Sequence, residues 1–585
     1  MSTTQRIKKI AATKIRNAIL DNHLEDFFEY FKMTSIHDKP SLLKNINSVM
    51  KSPNIAFMEE GVIFESELIK LLNTKFTSYI KTGDRTLNTT IKLMKEGSIM
   101  IYQSYLENPN NNTFGYPDLL IRSDYINKIF NYDVINERES KIGSPKLNIK
   151  NYHYIVVDIK HSTIELSSDQ IHINNNPNMK VNKCQLYIYT QALNNLLGIN
   201  NNKAYVWGKK YVSNSEKKDI NFLEMLGTID YDNNDSIFID VTNNALSWLS
   251  DLYSIGHTFT LLPTPSRKEL YPNMKVNDGK YNKMKNDYNN IVNDITSLYC
   301  CGVRERKLAH DQKIYTWKDK KFNSEVINFK DKRAQIIDAM LKINNNNCKE
   351  LVNYPNNSIE YERHMWHHHE HDNKLELFID FETYNSNYHS KIKNNVILNN
   401  TFDRIFLIGI GYKINNTWTF KPFIMKDSTL DSEINIINAS LKYINDLLKM
   451  YNKEKAILYH WSCAEQIQYY KFKNRNLQNR FNDSKIEFYD LNKVFISEPI
   501  IIKDALNYKL KTIGKALYKH KLIDVCWDQD NQCSNGLDAM ILAENLYTNI
   551  LSDNIINSDI MKDIVQYNEI DCHILCEIHN VMKMF

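Results

Sequence analysis

The sequence predicts an α/β protein: two α/β domains joined by a helical middle. Three observations lead there. First, 585 residues exceed what one core usually serves, and a hydrophobic content of 42% supplies material for more than one. Second, short β-branched and aromatic runs alternate with helix-period segments in both halves, the pattern of mixed layers. Third, residues 344–373 break that pattern with four consecutive Asn residues, Pro355 and a histidine cluster, and read as a linker.

The elements follow in order. The opening ~50 residues carry helical periodicity, with Lys8, Lys9, Lys14 and Arg16 on one face, which is expected to be solvated. A helix is expected around 61–76, then strands at 98–106, 117–122 and 153–159. The Asn-rich stretch 172–180 is a loop, followed by a helix at 183–197 and a strand at 203–208. Helices are expected at 243–255 and 284–300, and a turn at Gly302 starts another. Beyond the linker, strands at 375–382, 405–412 and 455–460 alternate with helices near 431–450, 463–473 and 560–582. The resulting division is 1–255, 256–343 as the helical middle, 344–373 as linker, and 374–585.

Composition excludes several classes. The net charge of +4 is close to balance, so nucleic-acid binding would have to come from local patches or bound metal. No apolar run approaches the ~18 residues that cross a bilayer, and no signal peptide opens the chain, so a soluble intracellular protein is expected, in nucleus or cytoplasm. The nine cysteines are dispersed without a CxxC pair; neither structural zinc nor an iron–sulfur cluster is expected. Gly279–Lys280 and Gly514–Lys515 lack the rest of a phosphate loop, so no ATP requirement is expected.

Four pieces of the first half stand in order: "GVIFESELIKLL", "GYPDLLIR", "YIVVDIKHS" and "CQLYIYTQAL". On a strand, Asp158 and Lys160 leave the same face. There the carboxylate can ligate Mg²⁺, a hard ion that takes oxygen ligands, and the ammonium can stabilise charge growing on a phosphate. Asp118 would add a second ligand and Glu65 a third acid, while Gln185 and Tyr189 share a helix face over the site. An acid and a lysine two apart are common as a surface ion pair; order and spacing of all four pieces give the motif its weight. This set resembles the RecB-like branch of the PD-(D/E)xK nucleases over about 55–210, with Glu65, Asp118, Asp158, Lys160, Gln185 and Tyr189 on the matching positions. The cysteines that hold a cluster in many RecB-like exonucleases have no counterpart here.

In the second half, "ELFIDFETY" places Asp380 and Glu382 on one strand face. Two like charges side by side repel, unless a cation balances them. Glu465 follows "YHW" in the first turn of a helix, and Tyr567 and Asp571 are i and i+4 on an amphipathic one. Four carboxylates and a tyrosine make a workable two-metal site for Mg²⁺ or Mn²⁺, with Tyr567 orienting a water. Asp490 is the alternative fourth acid. The pattern resembles the ribonuclease-H-like exonucleases of the DEDDy type over about 374–585, in the stand-alone branch that accompanies RecB-like nucleases. "EPIIIKDALNYKLKTIGKAL" matches a stretch that branch carries, while Glu465 stands where Asp is usual.

In the middle, residues 295–319 are similar to a helix-hairpin-helix, in which Arg304, Arg306 and Lys307 would hold phosphate without reading sequence; a plain helical connection is the alternative. His364, His367, His368, His369 and His371 are numerous enough to bind transition metal adventitiously. Together the resemblances imply a restriction-endonuclease-like domain, a helical middle and a ribonuclease-H-like domain. They imply an Mg²⁺- or Mn²⁺-dependent deoxyribonuclease of repair, recombination or replication, exonuclease rather than endonuclease. Its partners would be DNA, single-stranded or with free ends, and a separate helicase, with no membrane. The alternatives are a DNA-binding scaffold with vestigial sites and a ribonuclease.

Overall fold

The computed structural model describes residues 9–33, 55–76, 78–130, 132–213, 224–277, 279–345, 347–353, 373–385, 392–393, 396–397, 403–527, 533, 535–549 and 554–584. Lys8, most of the expected linker and its histidine cluster lie outside the described residues. The protein is mixed α/β, and its described residues fall into two compact units that divide the chain after Val292, with 392–393 and 396–397 belonging to the first. The segment expected as a helical middle is thus shared between them: 256–292 packs in the first unit, and 293–343 in the second.

The first unit is built on six strands in chain order across the sheet: β1 (Ile80–Thr82), β2 (Met100–Tyr102), β3 (Leu119–Arg122), β4 (Tyr154–Leu166), β5 (Lys203–Ser213) and β6 (Gly227–Asp230). The β1–β2 and β4–β5 pairs are parallel and the other pairs antiparallel. Leu119, Leu120 and Ile121 on β3 and Ile155, Val156 and Val157 on β4 are all buried, so both sheet faces are covered there. This is why those strands read as continuous apolar runs. Helix α1 (Ile55–Lys75) packs on β4, and so does α2 (Pro177–Leu197). Helix α2 is well specified at both ends. The Asn176 side chain accepts from the Met179 N–H, Pro177 takes the first turn, and Gly198 closes the helix at φ 77°. The second face of α2 is covered by α3 (Ile237–Ile255). The opening segment departs from the expected helical run. Ile10–Ala11 is a short strand parallel to Thr113–Gly115, which pairs in turn with Leu106–Asn108, and the longer helix begins only at His23.

The second unit carries a five-stranded sheet in the order β9 (Thr417–Ile424), β8 (Asp403–Ile414), β7 (Lys374–Asn385), β10 (Lys455–His460), β11 (Ile486–Asp490). The first three run as an antiparallel meander; β10 and β11 are parallel to β7. The central strand β7 is therefore hydrogen-bonded on both sides, which fixes the direction of its side chains. Among the described residues, the helices that pack most extensively on the sheet are α5 (Leu430–Met450), α8 (Gly536–Asn549) and α9 (Asp559–Met582). Ile379, Ile408, Ile410, Ile437, Leu441, Ile444 and Leu458 form the core under α5. Ahead of this sheet lies α4 (Val303–Asp311). The expected helix 284–300 ends at Val292 and gives way to a 3-10 turn at Ile295–Ser297, so Gly302 does not join two adjacent α-helices.

Candidate functional site

Each unit gathers carboxylates that are far apart in sequence. In the first unit, β3 and β4 run antiparallel with Leu119 opposite Val157. That register brings Asp118, just before β3, beside Asp158. Asp118 Oδ2 accepts from the Ile159 N–H at 2.7 Å, which fixes its direction. Lys160 Nζ lies 2.5 Å from Asp158 Oδ2. Burial pushes the Asp118 carboxyl well up, and the nearby Asp158 and Glu65 charges add to it. For Lys160, burial works against the charge, but Asp158 and Asp118 outweigh it and hold the ammonium above its ordinary value. Glu65 approaches from α1 and accepts from Gln103 Nε2 at 2.8 Å. Gln185 Nε2 donates to Tyr189 Oη at 2.8 Å on α2, and Tyr189 is in turn within reach of the Asp158 charge. Gly115 is required here: a Cβ would stand 2.3 Å from Tyr189 Cε1. All six residues named from the first-half motifs therefore meet in one place.

In the second unit, Asp380 and Glu382 leave the same face of β7, while Ile379 packs in the core on the other. Asp571 comes from α9, and ligand oxygens of Asp380, Glu382 and Asp571 all lie within 4.8 Å of one another. Burial is the first cause that raises all three: Asp380 well above its ordinary value, with Glu382 and Asp571 adding to it; Glu382 to about 8, with Asp571 adding to it; and Asp571 to about 6, where Lys511, Tyr567 and Trp527 oppose the rise and Glu465 adds to it. Glu465 is buried in the first turn of α6 (Ala464–Arg475), 3.3 Å from His460 Nδ1, and its charge bears on all three acids. Tyr567, one turn before Asp571, hydrogen-bonds it. Asp490 is used differently. Its Oδ1 accepts from the Ser462 N–H at 2.9 Å and caps the helix Leu491–Ser497 through Lys493 N.

Three residues at this centre were not picked out from sequence. Asn568 Nδ2 donates to Asp380 Oδ2 at 2.6 Å and to the Asp380 carbonyl at 3.1 Å. Trp527 Nε1 donates to Asp571 Oδ1 at 2.7 Å. Lys511, in α7 (Leu510–Lys519), lies with Nζ 4.5 Å from the Tyr567 ring centroid. Asn568 had a usable signal, the pair of glycines in "LIGIGYK". Gly409 faces Asp380 across the ladder, and a Cβ there would meet Asn568 Oδ1 at 1.9 Å. Trp527 lies in an irregular segment, with no periodicity to announce it.

The cations expected to grip phosphate divide. Arg304 and Lys307 are exposed, and Lys307 pairs with Asp311 at 2.8 Å. Arg306 is buried against Asp294, 3.3 Å away and fully buried itself, so it serves the fold and is withdrawn from phosphate. The first turn of α4 is also occupied, since Glu305 Oε2 accepts from the Gly302 N–H at 2.8 Å. A carboxylate already there opposes a phosphate.

Oxygen-only donor sets of this kind suit Mg²⁺ or Mn²⁺ better than softer metals. The residues of the second centre fit such an ion, because three acids converge from one strand face and one helix face, Glu382 and Asp571 buried and Asp380 half-buried. Among the described residues no helix is long and apolar enough to cross a membrane. No family model, curated protein or solved structure matches this chain.

Proposed function

We propose that this chain is a metal-dependent nuclease that hydrolyses DNA phosphodiester bonds, with a RecB-like centre in the first unit and a DEDDy-type, ribonuclease-H-like centre in the second. The observation that carries the reading is the convergence of Asp380, Glu382 and Asp571 from residues 191 positions apart, within 4.8 Å, with Glu465 buried beside them. Buried acids that repel in the absence of a cation are a poor way to stabilise a fold and a good way to hold a divalent ion. The mixed sheet with acids on its central strand supports the ribonuclease-H-like assignment, and the meeting of Glu65, Asp118, Asp158, Lys160, Gln185 and Tyr189 supports the RecB-like one.

Bound Mg²⁺ or Mn²⁺ supplies Lewis-acid stabilisation of the phosphate and an acidified water. The chain's own residues do the rest. In the first unit, Asp118 and Asp158 would hold the ion, and Lys160, kept charged by both, would stabilise negative charge developing on the phosphate. In the second, Asp380, Glu382 and Asp571, with Glu465 beside them, would hold it, and the Tyr567 hydroxyl would orient a nucleophile. Repair, recombination or replication, beside a separate helicase that exposes single strands, is the setting this activity suits.

The test is purified protein on end-labelled single-stranded and duplex DNA and RNA, with Mg²⁺, Mn²⁺ or EDTA. Loss of label from DNA with metal, and none with EDTA, is expected. Absence of cleavage under every condition would leave a binding scaffold, and cleavage of RNA alone would make it a ribonuclease.

A further inference from the structure

Beside the acidic centre of the first unit stands a group of aromatic residues that the proposed chemistry does not use. Tyr105 and Phe114 stack with ring centroids 5.9 Å apart. Tyr116 meets both edge-on, at 5.5 and 6.4 Å. The inner rings are anchored: Tyr105 Oη donates to Glu107 Oε2 at 2.7 Å, and Phe114 lies in the short strand Thr113–Gly115. The outer ring is the more open one, and Tyr116 keeps 39% of its surface exposed. The exposed guanidinium of Arg85 lies 5.9 Å from the Tyr116 centroid. It is tied to the acids by a chain of hydrogen bonds. Arg85 donates to the Gln103 side chain, Gln103 Nε2 donates to Glu65, and the Gln103 N–H donates to the Asp118 carbonyl at 2.9 Å.

A shelf made only to close the small sheet would gain most by burying its last ring. This one ends on a partly exposed ring with the Arg85 guanidinium over it, two residues before Asp118. An aromatic face stacks a base of any identity, and a guanidinium pairs with the phosphate next to it. A base pair inside a duplex offers no free face, whereas a single strand does. We infer that Tyr116 and Arg85 form the seat for a single strand of DNA, the Tyr116 ring stacking one base and Arg85 holding the neighbouring phosphate, so that the adjoining phosphodiester reaches Asp118, Asp158 and Lys160. The inference rests on the nuclease reading of that centre and names the form of substrate it takes.

The experiment uses the full chain in EDTA, where cleavage is stopped, with a short fluorescein-labelled single strand followed by anisotropy and a matching strand carrying 2-aminopurine followed by quenching. The native chain should bind the single strand more tightly than a blunt duplex and should quench 2-aminopurine. Tyr116→Leu should weaken binding about tenfold and abolish the quench. Tyr116→Phe should keep both, because the ring and not the hydroxyl does the stacking. Arg85→Gln should lower the slope of log affinity against log salt by about one ion. If Tyr116→Leu binds and quenches like the native chain while the native chain still cuts DNA, the seat is wrong and the nuclease reading stands. If the native chain neither binds nor cuts any nucleic acid, both fall. Tighter binding of an RNA strand of the same sequence would overturn the choice of DNA.

Discussion

In the first unit, Lys160 sits 2.5 Å from Asp158, so a positive charge is covalently part of the acidic centre. In the second, Asp380, Glu382 and Asp571 converge with Glu465 facing them, while the amine of Lys511 is turned over the Tyr567 ring. The consequences differ. The first centre lifts the Asp118 carboxyl and holds its lysine charged; the second lifts Asp380, Glu382 and Asp571. Like charges in a dry place must be balanced by protons, by a built-in cation or by a bound one. The first centre pairs its lysine directly with an acid; in the second, Lys511 eases Asp571, yet the three acids stay raised, and the remaining balance falls to protons or a bound cation. Folding of the second should therefore respond to pH and metal far more than that of the first.

The largest expected effect lies on the lysine. In a chain carrying Asp380→Asn, so that cleavage reports the first centre alone, Lys160→Met should slow metal-dependent DNA cleavage by about 10²–10³-fold, read as a single-turnover rate. A native rate would remove the built-in cation from the chemistry and with it half of the contrast.

The next effect is linkage in the second centre. A carboxyl raised in the folded state binds its proton more tightly there than in the unfolded chain. Its contribution to stability is complete at low pH and is lost as pH rises through the folded value. For Glu382 the loss spans about pH 4.5 to 8, and for Asp571 about 4 to 6. In EDTA, amides of β7 and α9 should lose protection from hydrogen exchange between pH 5 and 8, by on the order of 3 kcal/mol. Saturating Mg²⁺ should remove most of that slope, because only the folded state gathers the ligands. Equal pH slopes for β4 and β7 would break the comparison.

A smaller effect should follow Trp527→Phe, which deletes the N–H that orients Asp571 and keeps most of the ring. Mn²⁺ affinity of the second centre should fall about tenfold with unchanged circular dichroism. Smallest is the separation of Glu465 from Asp490. Asp490→Ala should cost about 1 kcal/mol as a lost helix cap and leave Mn²⁺ binding intact, whereas Glu465→Gln should weaken binding without that cost.

Much of this layout is legible in the sequence where periodicity and burial agree. Strand β7 was expected at 375–382 and spans Lys374–Asn385, and α9 was expected near 560–582 and spans Asp559–Met582. Edge elements were harder. Strand β9, "TWTFKPFI", is half-exposed along nearly its whole length and contains Pro422, so it shows no clean alternation. Strand β1 is three residues long and mostly exposed. At the sites, the acids were found because chemistry restricts them to few residue types at fixed spacings. Asn568, Trp527 and Lys511 were missed because what selects them is a hydrogen bond or a ring contact across tens to nearly two hundred residues. Arg306 shows the opposite failure. A basic residue in a basic run looks solvated, and only the fold reveals Asp294 beneath it.

The absence of one carbon atom at position 409 has a practical reach. With a Cβ there, 1.9 Å from Asn568 Oδ1, the Asn568 side chain has to turn aside, and Asp380 loses the amide that holds it. A laboratory scoring variants by activity alone would then rank Gly409→Ala with the acids and look for a catalytic glycine. A laboratory scoring expression and melting would find a serviceable protein. The position works as a spacer gauge between two parts of one instrument, and disagreement between those two screens is how such a gauge is recognised.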